Sequence, residues 1–113
     1  MSLVSAKTAI VLIEYQNEFT SEGGKLHSAV KPVMEATQML SNSVALMNHA
    51  RSKGAKIIHV PISFADGSPE INGRYGILKG VKDGAAFLKS NWGSEFQESM
   101  KPSAGDIVIE GKR

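Results

Sequence analysis

With 113 residues, 42% of them hydrophobic and 21% charged, the chain has the make-up of one ordinary globular domain, and neither disorder nor a fibrous class fits it. Its formal net charge of +2 comes from thirteen Lys and Arg scattered among eleven Asp and Glu, without the basic stripe that nucleic-acid binding needs. No apolar run nears the ~20 residues that span a bilayer, and residues 1–7 lack the charged-then-apolar order of a signal peptide, so a cytoplasmic location is expected.

Five consecutive apolar residues, Ala9 to Ile13, rich in β-branched types and without alternation, predict a first strand covered on both faces. A polar stretch with Gly23 and Gly24 follows. Val33, Thr37, Leu40, Val44 and Met47 then recur at spacings of four, three, four and three, which predicts a helix over 30–53 with one apolar stripe. Pro32 suits an early helical position, and Gly54 suits the stop.

Residues 55–62 read as a second strand ended by Pro61, and strand, helix, strand makes a right-handed parallel unit. No period is strong between 63 and 91; a helical turn is predicted at 85–89, and the rest reads as a functional loop or an oligomer contact. Ser94 and Gln97 have capping-box spacing, which predicts a short helix over 94–100 that Pro102 ends. Residues 106–109 form a third short apolar strand leading to Lys112. No repeat or linker divides the chain, so 1–113 is read as part of a single domain.

Alternating strands and helices predict a three-layer α/β/α fold on a parallel sheet, of the Rossmann-like or flavodoxin-like class. Three strands are few for that architecture, so association with a further segment or with other copies is expected. Ligands of open α/β sheets bind beyond the carboxyl ends of the strands, where Glu14 and Lys112 stand with opposite charge and can adjust one another. On spacing alone the plainer reading is favoured, an ordinary strand-end acid and a solvated lysine.

Other candidates are weaker. His27, His49 and His59 share no metal-ligand spacing, so no metal is expected; His59 reads as a hydrogen-bonded sheet residue and His49 as surface. Neither G-x-G-x-x-G nor G-x-x-x-x-G-K-[ST] occurs, so no nucleotide cofactor is expected. Phe19 and Trp92 are candidates for lining a substrate pocket, against the alternative that they pack the core. The chain has no cysteine, which excludes disulfides, thiolate metal sites and a cysteine nucleophile from these residues.

The run Ile13-Glu14-Tyr15-Gln16-Asn17-Glu18-Phe19, placed directly after an apolar strand, resembles the first signature of the isochorismatase-like cysteine hydrolases. Trp92-Gly93-Ser94-Glu95-Phe96, then Pro102, Gly105 to Ile109 and Lys112, resemble that family's second block, in the right order. The resemblance runs over nearly the whole chain and is strong at its ends. It implies the isochorismatase-like hydrolase fold and hydrolysis of a small amide or related carbonyl substrate through a cysteine thioester.

Glu14 falls where the family has an aspartate general base, and Lys112 where it has the lysine that holds the nucleophile and developing charge. The Asp-x-His pattern of metal-binding nicotinamidase relatives is absent from residues 63–67. The family's cysteine lies in a later strand-to-helix turn, so 1–113 is read as the N-terminal part of the domain, with a small-molecule substrate as its partner. Glutamate adds one methylene to the expected aspartate; because the motif around it is intact, a glutamate-using sub-group is the favoured explanation. The alternative is a non-catalytic scaffold or binding module of the same fold. A further possibility is a proteolytic half, since Lys112-Arg113 is a site for a trypsin-like protease.

Overall fold

The structure, a computed structural model, describes residues 4–112; the start of the N-terminal segment and Arg113 of the basic pair lie outside the described residues. Strand β1 (Ala9–Ile13) pairs in parallel with β2 (Lys56–Val60), Ala9 opposite Lys56 and Ile13 opposite Val60. On the far side of β2, Ile58 and His59 pair in parallel with β3 (Ile107–Val108), giving the order β1-β2-β3. The parallel α/β class is the expected one.

Strand alternation sends Leu12 and Ile57 to the face where helix α3 (Met39–Ser52) lays Met47 and Ala50, and Met100 closes this core cluster. Burying such side chains contributes about 1.5–3 kcal/mol each. The opposite face departs from the expectation of cover on both sides: Val11, Ile13, Ile107 and Ile109 are about half exposed. The reason is positional, since the longest helix, α3, packs on the other face. Among the described residues no helix is long and apolar enough to cross a membrane.

The helix expected over 30–53 is instead two helices. Helix α2 (His27–Thr37) ends at Gln38, which takes a left-handed φ of 51°, and α3 begins at Met39. Asn42 Nδ2 donates to the Thr37 carbonyl at 3.0 Å, which satisfies one acceptor freed by the break. The stripe is split accordingly: Leu40, Val44 and Met47 meet the core, while Val33 on α2 is 66% exposed. Pro32 lies inside α2, past its first turn.

Two other expectations fail for local reasons. No helical turn forms at 85–89, because Ala85 and Phe87 adopt left-handed φ of 51° and 59° and the segment pairs with Phe64 instead. Phe64 N–H donates to the Phe87 carbonyl at 2.8 Å, and Lys89 N–H to the Phe64 carbonyl at 3.0 Å. The helix in this region is α4 (Gly76–Asp83), whose Val81 enters a second core cluster with Phe64, Ile71 and Phe87. Nor does Ser94 cap a helix over 94–100: its hydroxyl donates to the Asn91 carbonyl at 2.9 Å. Gln97 takes the capping role, accepting from Ser99 N–H at the start of a 3-10 turn over Glu98–Met100.

Candidate active site

Glu14 follows the last residue of β1, and its N–H still donates to the Val60 carbonyl at 3.1 Å. Its φ of 61° is left-handed, which a residue with a side chain adopts at some cost and which recurs where function holds the chain in place. Lys112 arrives from the opposite strand. Ile109 N–H extends the ladder to the His59 carbonyl, Gly111 turns the chain at φ 89°, and Lys112 forms a parallel bridge with Ile62. The lysine ammonium donates to Glu14 Oε1, joining residues 98 apart in sequence across the rim of the sheet. Both side chains are part-buried, so the pair is neither screened like a surface contact nor sealed from a substrate.

The three residues after Tyr15 hold this rim together. Gln16 is fully buried; its Nε2 donates to the carbonyls of Ile62 and Ser94, each at 2.7 Å, and its Oε1 accepts from Ile62 N–H at 2.9 Å. Asn17, at the start of the short helix α1 (Asn17–Thr20), donates to the Trp92 carbonyl at 3.0 Å. Glu18 is 2% exposed, and its two oxygens accept from the backbone N–H groups of Lys25 at 3.0 Å and Phe87 at 2.9 Å. These side chains tie the end of β1 to three loops distant in sequence. Sequence reasoning gave them no separate role; the available signal was three polar residues in a row directly after a buried strand.

The buried Glu18 carboxyl also explains why position 93 is glycine. A Cβ there would lie 2.3 Å from Glu18 Cδ and 2.4 Å from each carboxylate oxygen. Gly93→Ala is therefore expected to destabilise the protein by about 1–3 kcal/mol through overpacking. Urea unfolding measures this, and an unchanged midpoint would mean the carboxylate yields freely.

Phe19 packs on Phe87 with ring centroids 5.2 Å apart, and His27 Nδ1 lies 2.7 Å from the Phe19 carbonyl oxygen. Phe19 and Glu14 share the wall of one cavity of about 260 Å³ between the end of β1 and the α2–α3 break. Trp92 is placed elsewhere: its ring is half exposed near Gly23, and it does not line that cavity. Thus Glu14, Lys112 and Phe19 come together, and Trp92 stands apart.

A second polar cluster fixes β3, the strand that delivers Lys112. Asp106 Oδ2 accepts from Arg51 Nη2 at 2.7 Å and from Ser103 N–H at 3.0 Å, and lies 2.9 Å from His59 Nε2. Burial alone would push Asp106 up, but the hydrogen bonds from Arg51, Ser103 and His59 outweigh it and hold the carboxyl down to about 2.

The sequence matches the isochorismatase domain family over residues 8–113. It is 25% identical to the ureidoacrylate amidohydrolase RutB of Caulobacter segnis, with 94% of this chain and 49% of that protein aligned. It is also 25% identical to the RutB of Acinetobacter baylyi, over 100% of this chain and 51% of that one. Among solved structures, N-carbamoylsarcosine amidase from Thermoplasma acidophilum superposes with a TM-score of 0.64 at 25% identity, covering 90% of this chain and 50% of the amidase. A cysteine hydrolase from Pseudomonas syringae pv. phaseolicola shares the fold at a TM-score of 0.64 and 16% identity, covering 96% of this chain and 47% of that one. The chain spans about half the length of the curated relatives it matches. On a match that takes in nearly all of its residues, the chain belongs to the isochorismatase family.

Proposed function

We propose that residues 1–113 are the N-terminal part of a single hydrolase domain that cleaves a small amide through a cysteine thioester. The observation that carries this reading is the Glu14–Lys112 contact at the carboxyl ends of parallel strands. The names of the relatives, an amidohydrolase and an amidase, support the C–N bond as the one broken. In the proposed reaction the Glu14 carboxylate takes the proton of a cysteine thiol contributed by the remainder of the domain. The thiolate then attacks the amide carbonyl carbon.

Collapse of the tetrahedral adduct breaks the C–N bond, and Glu14 returns the proton to the leaving nitrogen. Water, deprotonated by the same carboxylate, hydrolyses the thioester and frees the thiol. Lys112 orients Glu14 and offsets negative charge as it develops. Phe19 is proposed to contact the substrate from the cavity wall, whereas Trp92 as a contact rests on the motif alone. The apolar sheet face left open by Val11, Ile107 and Ile109 is where the remainder of the domain, or another copy, is proposed to pack.

The test is ammonia release from small amides by the full-length protein, these residues joined to the cysteine-bearing segment, before and after iodoacetamide. Complete loss of turnover on alkylating one thiol is expected. Turnover that survives full alkylation would remove the thioester from the mechanism.

A further inference from the structure

The cavity beside Glu14 is walled by Ile13, Phe19, Val30, Met34 and Met39, and among the described residues Glu14 is the one charged group lining it. Two polar groups also touch it, and both have partners elsewhere. The Tyr15 hydroxyl is hydrogen-bonded to Ser43 Oγ at 2.8 Å, and the Thr20 hydroxyl donates to the Gln16 carbonyl at 2.9 Å. A ligand group seated there meets hydrocarbon and thioether on its sides and a carboxylate at one end.

Resting on the reading of Glu14 as the base, we infer that this cavity receives a small uncharged hydrocarbon substituent on the acyl side of the substrate. A second carboxylate on the substrate would lose its water against methyl and methylene groups, and Lys112, the cation paired with Glu14, does not line the cavity. A neutral alkyl group gains from the same surroundings, roughly fourfold in affinity per buried methylene. The volume of about 260 Å³ lies at the small end for ligand cavities, which limits the group to a short chain.

The backbone break explains why this wall exists. Met34 lies in the last turn of α2, Gln38 interrupts the helix in the left-handed region, Met39 opens α3, and both methionines line the one cavity. A continuous helix over 30–53 would separate these thioethers by more than a turn. Methionine side chains adapt to ligands of varied shape, so the expected selectivity is for apolar character and length more than for branching.

The test uses the full-length protein and compares acetamide, butyramide and valeramide with succinamate, which resembles valeramide in length but ends in a carboxylate. Expected is a rise in kcat/KM of at least tenfold from acetamide to valeramide, with succinamate at least tenfold below valeramide. In parallel, the protein labelled with methyl-13C methionine is titrated with valeramide, the Met34 and Met39 signals being assigned through Met34→Leu and Met39→Leu. Both signals are expected to move, whether or not turnover occurs.

If all the amides are hydrolysed alike, or succinamate is preferred, the inference is overturned and the hydrolase reading stands. If none is hydrolysed while valeramide moves Met34 and Met39, the apolar cavity is upheld and the hydrolase reading fails. Unmoved Met34 and Met39 signals overturn the inference whatever the kinetics.

Discussion

Lys112→Ala and Glu14→Gln, each made in the full-length protein, are expected to lower kcat/KM by about 10³-fold or more while the protein stays folded. A positioned acid–base group contributes about 10²–10⁴-fold, and losing its charge partner removes its orientation and the compensation of developing charge. The loss should fall on kcat, because the pair acts on charge that develops during the reaction and not on the resting substrate. Folding should change little, since the side chains are 34% and 25% exposed and a part-exposed ion pair contributes about 1 kcal/mol or less. Glu14→Asp separates reach from chemistry. The carboxylate would draw back by one methylene from Lys112 on a backbone already held at φ 61°, so a fall of about 10–100-fold is expected. If either Lys112→Ala or Glu14→Gln keeps the wild-type kcat/KM, the assignment of this pair is refuted.

How far such a site can be read from sequence depends on which interactions fix each part of it. The three strands were visible because apolar β-branched runs carry their own signal; Glu14 directly follows the first run and Lys112 lies three residues past the third, and the family resemblance gave them the roles that spacing alone did not. The remainder is fixed by long-range contacts that leave no local mark. Gln38 breaks the helix without the glycine or asparagine that usually announces a left-handed residue, and the apolar stripe runs through it uninterrupted. Ala85 and Phe87 are left-handed while Glu18, 69 residues from Phe87, accepts the Phe87 N–H. Ser94 and Gln97 satisfied a spacing rule, but Ser94 Oγ found a partner in Asn91 and Gln97 capped the following turn. In each case tertiary partners overrode a local preference.

Asp106 is where that kind of long-range contact should matter most for stability. Its side chain is 4% exposed and sits against Arg51, His59 and the Ser103 N–H, with His59 itself fully buried. With its hydrogen on Nε2, the tautomer the carboxylate selects, His59 donates to Asp106 and turns its ring edge-on to Phe96 at 5.5 Å. Asp106→Ala would leave the guanidinium, the imidazole N–H and a backbone N–H without their acceptor, and a loss of about 3–5 kcal/mol is expected in urea unfolding. Asp106→Asn should recover part of this, since its oxygen can still accept from one donor.

The wild-type protein should show the same carboxylate in its acid response. The folded-state value of about 2 lies below the ordinary 3.8, so the stabilisation is fully present above pH ~4 and is lost as pH falls through about 2. It amounts to about 2 kcal/mol. Asp106→Ala should therefore flatten the stability profile between those limits, and an equally steep acid loss in the variant would assign that loss to other carboxylates. Because Asp106 stands immediately before β3 and Lys112 shortly after it, the same variant should also loosen the approach of Lys112 to Glu14. In the full-length protein Asp106→Ala should then lower kcat even at neutral pH and in a temperature range where it remains folded.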